Sequence, residues 1–168
     1  MLPRRRKSRK RTEGGGDDAG RAMNNAYSLL RARPRSEAEM RERLAMKGYD
    51  GQIVEGVIAK LRGYGEIDDA RFAKLWVESR MHLNPMGDVV LRHELKEKGV
   101  AEAIIDAALE AKAKTFDEYE IARSMAVERF ERFKKLDRAK AMKRLYDFLV
   151  RRGFAFETVR RVIEEIVR

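Results

Sequence analysis

The sequence predicts an all-α protein, a tandem array of three related three-helix repeats, elongated and curved. Three observations predict it. From residue 21 onward apolar residues recur at helical spacing, as in Ile53, Val54, Val57, Ile58 and Leu61, and strict alternation is absent from any comparable window. Gly48, Gly99 and Gly153 each close an apolar-periodic run, where a left-handed residue stops a helix at little steric cost. Placed in register on those glycines, the flanking segments repeat.

Residues 1–20 begin with a basic run, continue through Glu13, Gly14, Gly15, Gly16, Asp17 and Asp18, and offer almost nothing apolar to bury. They are expected to be a disordered basic arm, serving either solubility or loose phosphate contact. The first repeat, 21–67, is expected to open with a helix near 22–32. Its second helix starts at a capping box of Ser36 and Glu39 and ends at Gly48, and its third carries the 53–61 stripe. In the second repeat, 68–114, Gly65 makes the turn ahead, and Asp68 or Asp69 caps a helix near 69–81. Its second helix ends at Gly99, and Ile104, Ile105, Ala108 and Leu109 make the third. The third repeat, 115–168, opens with capping-box spacing at Thr115 and Glu118 and a helix near 117–133. A helix near 138–152 follows, then Val159, Val162, Ile163, Ile166 and Val167, whose β-branched character suggests a strand and whose spacing says helix.

The repeat register assigns the core. Eight residues before each glycine stand Met40, Leu91 and Leu145, and four before stand Leu44, Leu95 and Leu149. One before are Lys47, Lys98 and Arg152, cations suited to the last turn of a helix. Tyr49, Val100 and Phe154 follow the glycines directly, and Ile58, Leu109 and Ile163 follow at ten. Pro34 and Pro85 precede their glycines by fourteen; the third repeat has Ala139 there, so its second helix must be entered differently. Such small units bury their apolar faces by stacking.

Composition narrows the chemistry. No cysteine is present, which excludes disulfides, thiolate metal sites and cysteine nucleophiles and fits a reducing compartment. No apolar run approaches the roughly 18–20 residues that span a bilayer, so a cytoplasmic protein with no membrane contact is expected. The net charge of +10 is uneven: +4 over 1–20, −1 over 21–131 and +7 over 132–168. A field confined to the ends attracts a polyanion, where an even spread only aids solubility. His82 and His93 stand eleven apart with no ligand-pair spacing, and neither a phosphate-cradling glycine loop nor a nucleophile elbow occurs. No cofactor, metal or catalytic group is expected.

Tyr64, Gly65, Glu66, Ile67, Asp68, Asp69, Ala70, Arg71, Phe72 and Ala73, followed by Arg80, resemble the most characteristic stretch of the RecX regulatory proteins. Leu91, Arg92, Glu94, Leu95, Lys98, Gly99 and Val100 resemble that family's second signature, and Arg151, Arg152, Gly153 and Phe154 its closing one. The resemblance covers about residues 22–168. It implies a bacterial cytoplasmic protein of three tandem three-helix repeats that binds the RecA recombinase, chiefly as a filament on single-stranded DNA, and restrains its ATPase, strand-exchange and co-protease activities. Family members often also bind DNA, and they are not known as enzymes. At Asp88, Val89 and Val90, after Gly87, the family usually carries proline or basic residues, which puts a filament contact through that turn in question.

The signature residues Gly65, Asp68, Asp69, Arg71, Phe72, Arg80, Gly87, Arg92, Glu94, Leu95, Lys98 and Gly99 read mainly as structural. Candidate filament or DNA contacts are instead Lys134, Lys135, Arg138, Lys140, Lys143, Arg144, Arg151, Arg152, Arg160 and Arg161, within the +7 of residues 132–168. On the helix near 138–152, Ala141, Leu145 and Leu149 are expected to face inward, with Lys140, Lys143, Arg144 and Arg151 outside. Trp76, Tyr146, Phe154 and Phe156 read as core or interface anchors. The leading function is a monomeric regulator of the RecA filament. A DNA-binding regulator of helix-turn-helix type is the second reading, and only the third repeat has a suitably basic last helix; a helical protein–protein scaffold is the third. Contact with about five phosphates of single-stranded DNA would give a log-affinity slope against log salt of roughly −3.5.

Overall fold

The computed structural model describes residues 15–133 and 135–166, and the described residues form nine helices and no strand. The helices are α1 (Gly15–Ala32), α2 (Glu37–Met46), α3 (Gly51–Gly63), α4 (Asp69–Leu83), α5 (Asp88–Glu97), α6 (Glu102–Thr115), α7 (Glu118–Glu131), α8 (Arg138–Arg151) and α9 (Phe156–Ile166). They form three repeats of three, and the chain divides after Ile67 into two compact units. Residues 1–14 of the expected arm lie outside the described residues. Residues 15–20 are the start of α1 rather than part of an arm, and in its first turns Asp17 and Asp18 pair with Arg21. Those carboxylates also meet the positive end of the helix dipole.

Each second helix ends in the same backbone motif. Gly48, Gly99 and Gly153 have φ of 86°, 72° and 80°. The N–H of the following residue reaches back to the carbonyl of the repeat's buried leucine, Tyr49 to Leu44 at 3.4 Å, Val100 to Leu95 at 3.1 Å and Phe154 to Leu149 at 3.3 Å. The glycine N–H groups bond Ala45, Lys96 and Val150, which completes a Schellman cap. Gly65 closes α3 in the same way, with φ of 70° and Glu66 N–H bonded to the Leu61 carbonyl. Left-handed backbone of this kind disfavours any side chain with a Cβ, which is why glycine recurs.

The unit that ends at Ile67 holds α1, α2 and α3. Its core is Ala22, Ala26, Met40, Leu44, Val54, Val57, Ile58, Leu61 and Ile67, with Tyr49 and Ile53 half-buried against it. The Ser36 hydroxyl accepts the Glu39 N–H at 3.1 Å, opening α2 as the capping spacing requires.

The unit that begins at Asp68 holds α4–α9 around two joined cores. Phe72, Val77, Leu91, Leu95, Ile105 and Leu109 lie in the first and Leu145, Leu149, Phe154, Val159, Val162 and Ile163 in the second, and Ile121 packs against both. Asp68 accepts N–H bonds from Ala70 and Arg71 and is the cap of α4. The capping box expected at Thr115 and Glu118 does not form. Thr115 is the last residue of α6, and Asp117 caps α7 by accepting from Tyr119 and Glu120, because a carboxylate one residue ahead of the helix competes better than a hydroxyl in the preceding helix.

The third repeat departs from the others at its second helix. α2 and α5 have 10 residues, whereas α8 has 14 and starts a full turn earlier in the register, capped by Asp137. Proline disfavours helical backbone at the residue before it, so Pro34 and Pro85 bar an earlier start to α2 and α5, whereas Ala139 leaves Arg138 free to begin α8.

Candidate functional site

In the second repeat the signature residues form one structural network. Phe72 stacks on Trp76 at 5.8 Å, and the Trp76 indole N–H donates to Glu94 Oε2 at 2.7 Å. Arg80 Nε donates to the same oxygen at 2.8 Å, while Arg80 and Lys98 lie over the indole at 4.8 and 5.1 Å. Arg92 pairs with Glu102 and Asp106, and Lys96 with Glu102. Leu95 is fully buried, Asp69 lies in the first turn of α4, and Arg71 is exposed. His82 packs edge-on against Phe116, and no group of acidic or histidine side chains able to hold a metal occurs among the described residues.

Gly87 and Gly153 explain each other. The N–H groups of Gly87 and Val89, at the start of α5, donate to the carbonyls of Arg152 and Gly153, at the end of α8. The positive end of one helix thereby satisfies the negative end of another. A Cβ on Gly87 would overlap the Gly153 carbonyl and the Phe154 nitrogen, so the position that holds Ser36 in the first repeat must be glycine in the second. Arg152 fastens the same joint, donating to Asn84 and to the Pro85 carbonyl and lying over Phe148 at 5.4 Å. The Asp88–Val90 turn is occupied here too: Val90 rests against Gly153, and Asp88 accepts from Lys112 at 2.6 Å. Lys112, with a side chain only 2% exposed, also reaches Glu118 at 3.2 Å.

The basic residues of the last repeat are therefore not equivalent. Arg152 is spent on the joint. Arg160 pairs along its own helix with Glu157 and Glu164, and Arg161 covers the Tyr119 ring at 4.2 Å. Lys134 lies outside the described residues; Lys135 is exposed in the turn before α8, and Arg138 is exposed in the first turn of that helix. Lys140, Lys143, Arg144 and Arg151 share one exposed face of α8, opposite the buried Ala141, Leu145 and Leu149. Among the described residues none of these four has a carboxylate partner, and Asp147 is the one acid between them on that face. In the first two repeats many cations are ion-paired, Arg33 with Glu39, Arg41 with Glu37 and Glu55, Arg62 with Glu37 and Arg80 with Glu94. Those with no ion pair among the described residues, such as Arg31, Arg43, Lys47 and Lys60, are not gathered in a row of four on one helix face. The four clustered on α8 have no internal ion pair to give up before they meet an external anion.

The aromatic anchors divide likewise. Phe154 is buried and Trp76 half-buried as expected, but Phe156 is 62% exposed at the start of α9 and Tyr146 is exposed beside Lys143, so neither is core. Phe156 opens its helix, and a first-turn residue has no preceding turn to shelter it. Reading basic residues only from 132 onward also misses Arg129. It sits at the end of α7 over Phe148 at 4.8 Å and Phe133 at 5.9 Å, facing Arg144 and Arg151 across a groove. The signal for it is Arg-x-x-x-Phe, present at Arg129–Phe133 and again at Arg144–Phe148.

Three family models match in order: the RecX first three-helix domain over residues 22–61, the second over 68–109 and the third over 117–163. Regulatory protein RecX of Prosthecochloris aestuarii is 31% identical over 150 residues, 89% of this chain and 96% of that protein. Its counterpart in Streptomyces coelicolor is 34% identical over 141 residues, 82% of this chain and 74% of that protein. The crystal structure of RecX from Lactobacillus salivarius superposes with a TM-score of 0.80 at 21% identity, over 89% of this chain and 97% of that one. A second RecX crystal structure gives 0.79 at 23%, over 90% and 74%. With its three repeats matched in sequence and its fold shared, the chain belongs to the RecX family of regulatory proteins.

Proposed function

We propose that this chain binds the RecA recombinase filament on single-stranded DNA and restrains its ATPase, strand-exchange and co-protease activities, acting by binding rather than catalysis, as a cytoplasmic monomer without a cofactor. Family membership supports the partner. The observation that carries the reading on this chain's own residues is the clustering of Lys140, Lys143, Arg144 and Arg151 on one exposed face of α8, unpaired with any described carboxylate. No described helix is long and apolar enough to cross a membrane.

Inhibition requires that the chain bind one filament state more tightly than another, since equal affinity for both shifts nothing. A helix-turn-helix mode is disfavoured: the third helices α3 and α6 offer Glu55, Glu102, Asp106 and Glu110 outward, and Arg160 and Arg161 of α9 are already engaged within the repeat. The test compares capture of the chain by recombinase alone, by single-stranded DNA alone and by their nucleotide-stabilised filament, with the filament's ATPase titrated in parallel. Selective capture by the filament and falling ATPase are expected; equal failure on all three would leave a scaffold.

A further inference from the structure

Between the end of α7 and the middle of α8 lies a groove of about 270 Å³ lined by Arg129, Phe133, Arg144, Asp147, Phe148 and Arg151. The two phenyl rings form an aromatic lining with guanidiniums against it, Arg129 over both rings and Arg144 over Phe133 at 5.9 Å. Arg129 Nε is buried and makes no hydrogen bond, and the groove that Arg129 lines holds three guanidiniums and a single carboxylate. A buried donor without an acceptor is unfavourable, so an anionic oxygen that reaches it relieves a cost already present in the fold.

We propose that this groove is a seat for single-stranded nucleic acid, with Arg129, Arg144 and Arg151 holding backbone phosphate and the Phe133–Phe148 lining receiving an unstacked base. The inference deepens the reading above, giving the strand itself a place on the third repeat. Aromatic rings beside cations are what single strands use, because their base faces are free, whereas a duplex keeps those faces stacked. An acidic peptide would use the cations but leave the rings idle. Lys140 and Lys143 continue the row along α8. The eleven helical steps from Lys140 to Arg151 cover about 16 Å, enough for the backbone to run on from the groove. Phosphate contact and stacking on phenyl rings carry no base code, so little dependence on base sequence is expected.

Fluorescence anisotropy of a labelled oligo-dT strand, without recombinase and over a series of salt concentrations, tests this. Five contacts, from Arg129, Lys140, Lys143, Arg144 and Arg151, give a wild-type slope of roughly −3.5, and Arg144→Gln with Arg151→Gln on the exposed rim moves it toward zero by about 1.4. Arg129→Lys keeps the charge but loses the fork, and weakens binding with little change in slope. Phe133→Leu weakens binding with the slope unchanged. Circular dichroism of each variant establishes that it is folded, and the rim pair carries the test if Arg129 or Phe133 variants do not fold. Absence of oligonucleotide binding by the wild type, an unchanged slope in the rim variant, or equal competition by duplex or by polyglutamate would each overturn the proposal. A chain captured by the filament yet unable to bind free strand removes this site and leaves the filament reading; one that binds strand but not filament does the reverse.

Discussion

Replacing Gly87 by alanine inserts one methyl group at the joint between the second and third repeats. The new Cβ meets the Gly153 carbonyl and the Phe154 nitrogen, which are backbone atoms with no rotamer to escape into. The joint must open, and the bonds from Gly87 N–H to Arg152 at 2.9 Å and from Val89 N–H to Gly153 at 3.2 Å go with it. Two such bonds contribute about 1 kcal/mol each, and overpacking a close contact costs about 1–3 kcal/mol, so the unit from Asp68 onward should lose roughly 3–5 kcal/mol. In a unit of this size each kcal/mol lowers Tm by about 4–8 °C, so a drop on the order of 10 °C or more is expected. Trp76, the single tryptophan, lies in that unit, and its fluorescence in a urea titration reports the transition. Gly56→Ala is the control in the other unit: its Cβ meets nothing within 4 Å inside α3, so it should leave the Trp76 transition in place and stabilise its own unit by about 0.5–1 kcal/mol, followed by circular dichroism. A Gly87→Ala midpoint within about 0.5 kcal/mol of wild type would refute this account of the joint.

Four further substitutions probe the same unit. Lys112→Met removes a buried cation from between Asp88 and Glu118; because those carboxylates are partly solvated, the cost falls below the ~3–5 kcal/mol of a fully buried pair, at about 1–3 kcal/mol by urea unfolding. Asp117→Ala should cost about 1 kcal/mol as a lost cap while Thr115→Ala stays near neutral, the reverse of what capping-box spacing implies, and thermal melts rank the two. The Tyr119 hydroxyl, then Arg123, hydrogen-bond Glu165 and hold its carboxyl below the usual range, and Glu165 in turn raises the Tyr119 phenol. The Glu165 contribution is therefore present above the unfolded carboxylate range and lost as pH falls through the lowered folded value. Glu165→Gln should flatten the acid limb of stability below pH ~4.5, and should bring the phenol titration, followed by ultraviolet absorbance, back down.

Much of the fold was legible because the Schellman caps demand glycine and the buried face demands Leu or Met at fixed distances from it. Met40, Leu44, Leu91, Leu95, Leu145 and Leu149 are all 0% exposed, as the register requires. Local rules fail where a hydroxyl and a carboxylate compete as caps, at Thr115 and Asp117, and where glycine and aspartate suggest an arm although Gly15–Gly20 begin α1. The candidate site was half legible. Spacing alone put Lys140, Lys143, Arg144 and Arg151 on one face, but charge counting cannot distinguish a solvated arginine from Arg152, which closes a tertiary joint, or from Arg161, which covers a ring. Nor can it join Arg129 to Arg144, since that contact needs α7 and α8 side by side.

The most direct measurement is filament capture by a chain in which Lys140, Lys143, Arg144 and Arg151 are all alanine, beside a control that loses the same charge at Arg43, Lys60, Lys74 and Lys114. Both variants should keep full helicity. At moderate salt the first should lose most of its binding to the nucleotide-stabilised RecA filament on single-stranded DNA and the second should retain it. Equal retention by both would contradict the assignment of the α8 face, and equal loss would mean that net charge, rather than this surface, drives the association.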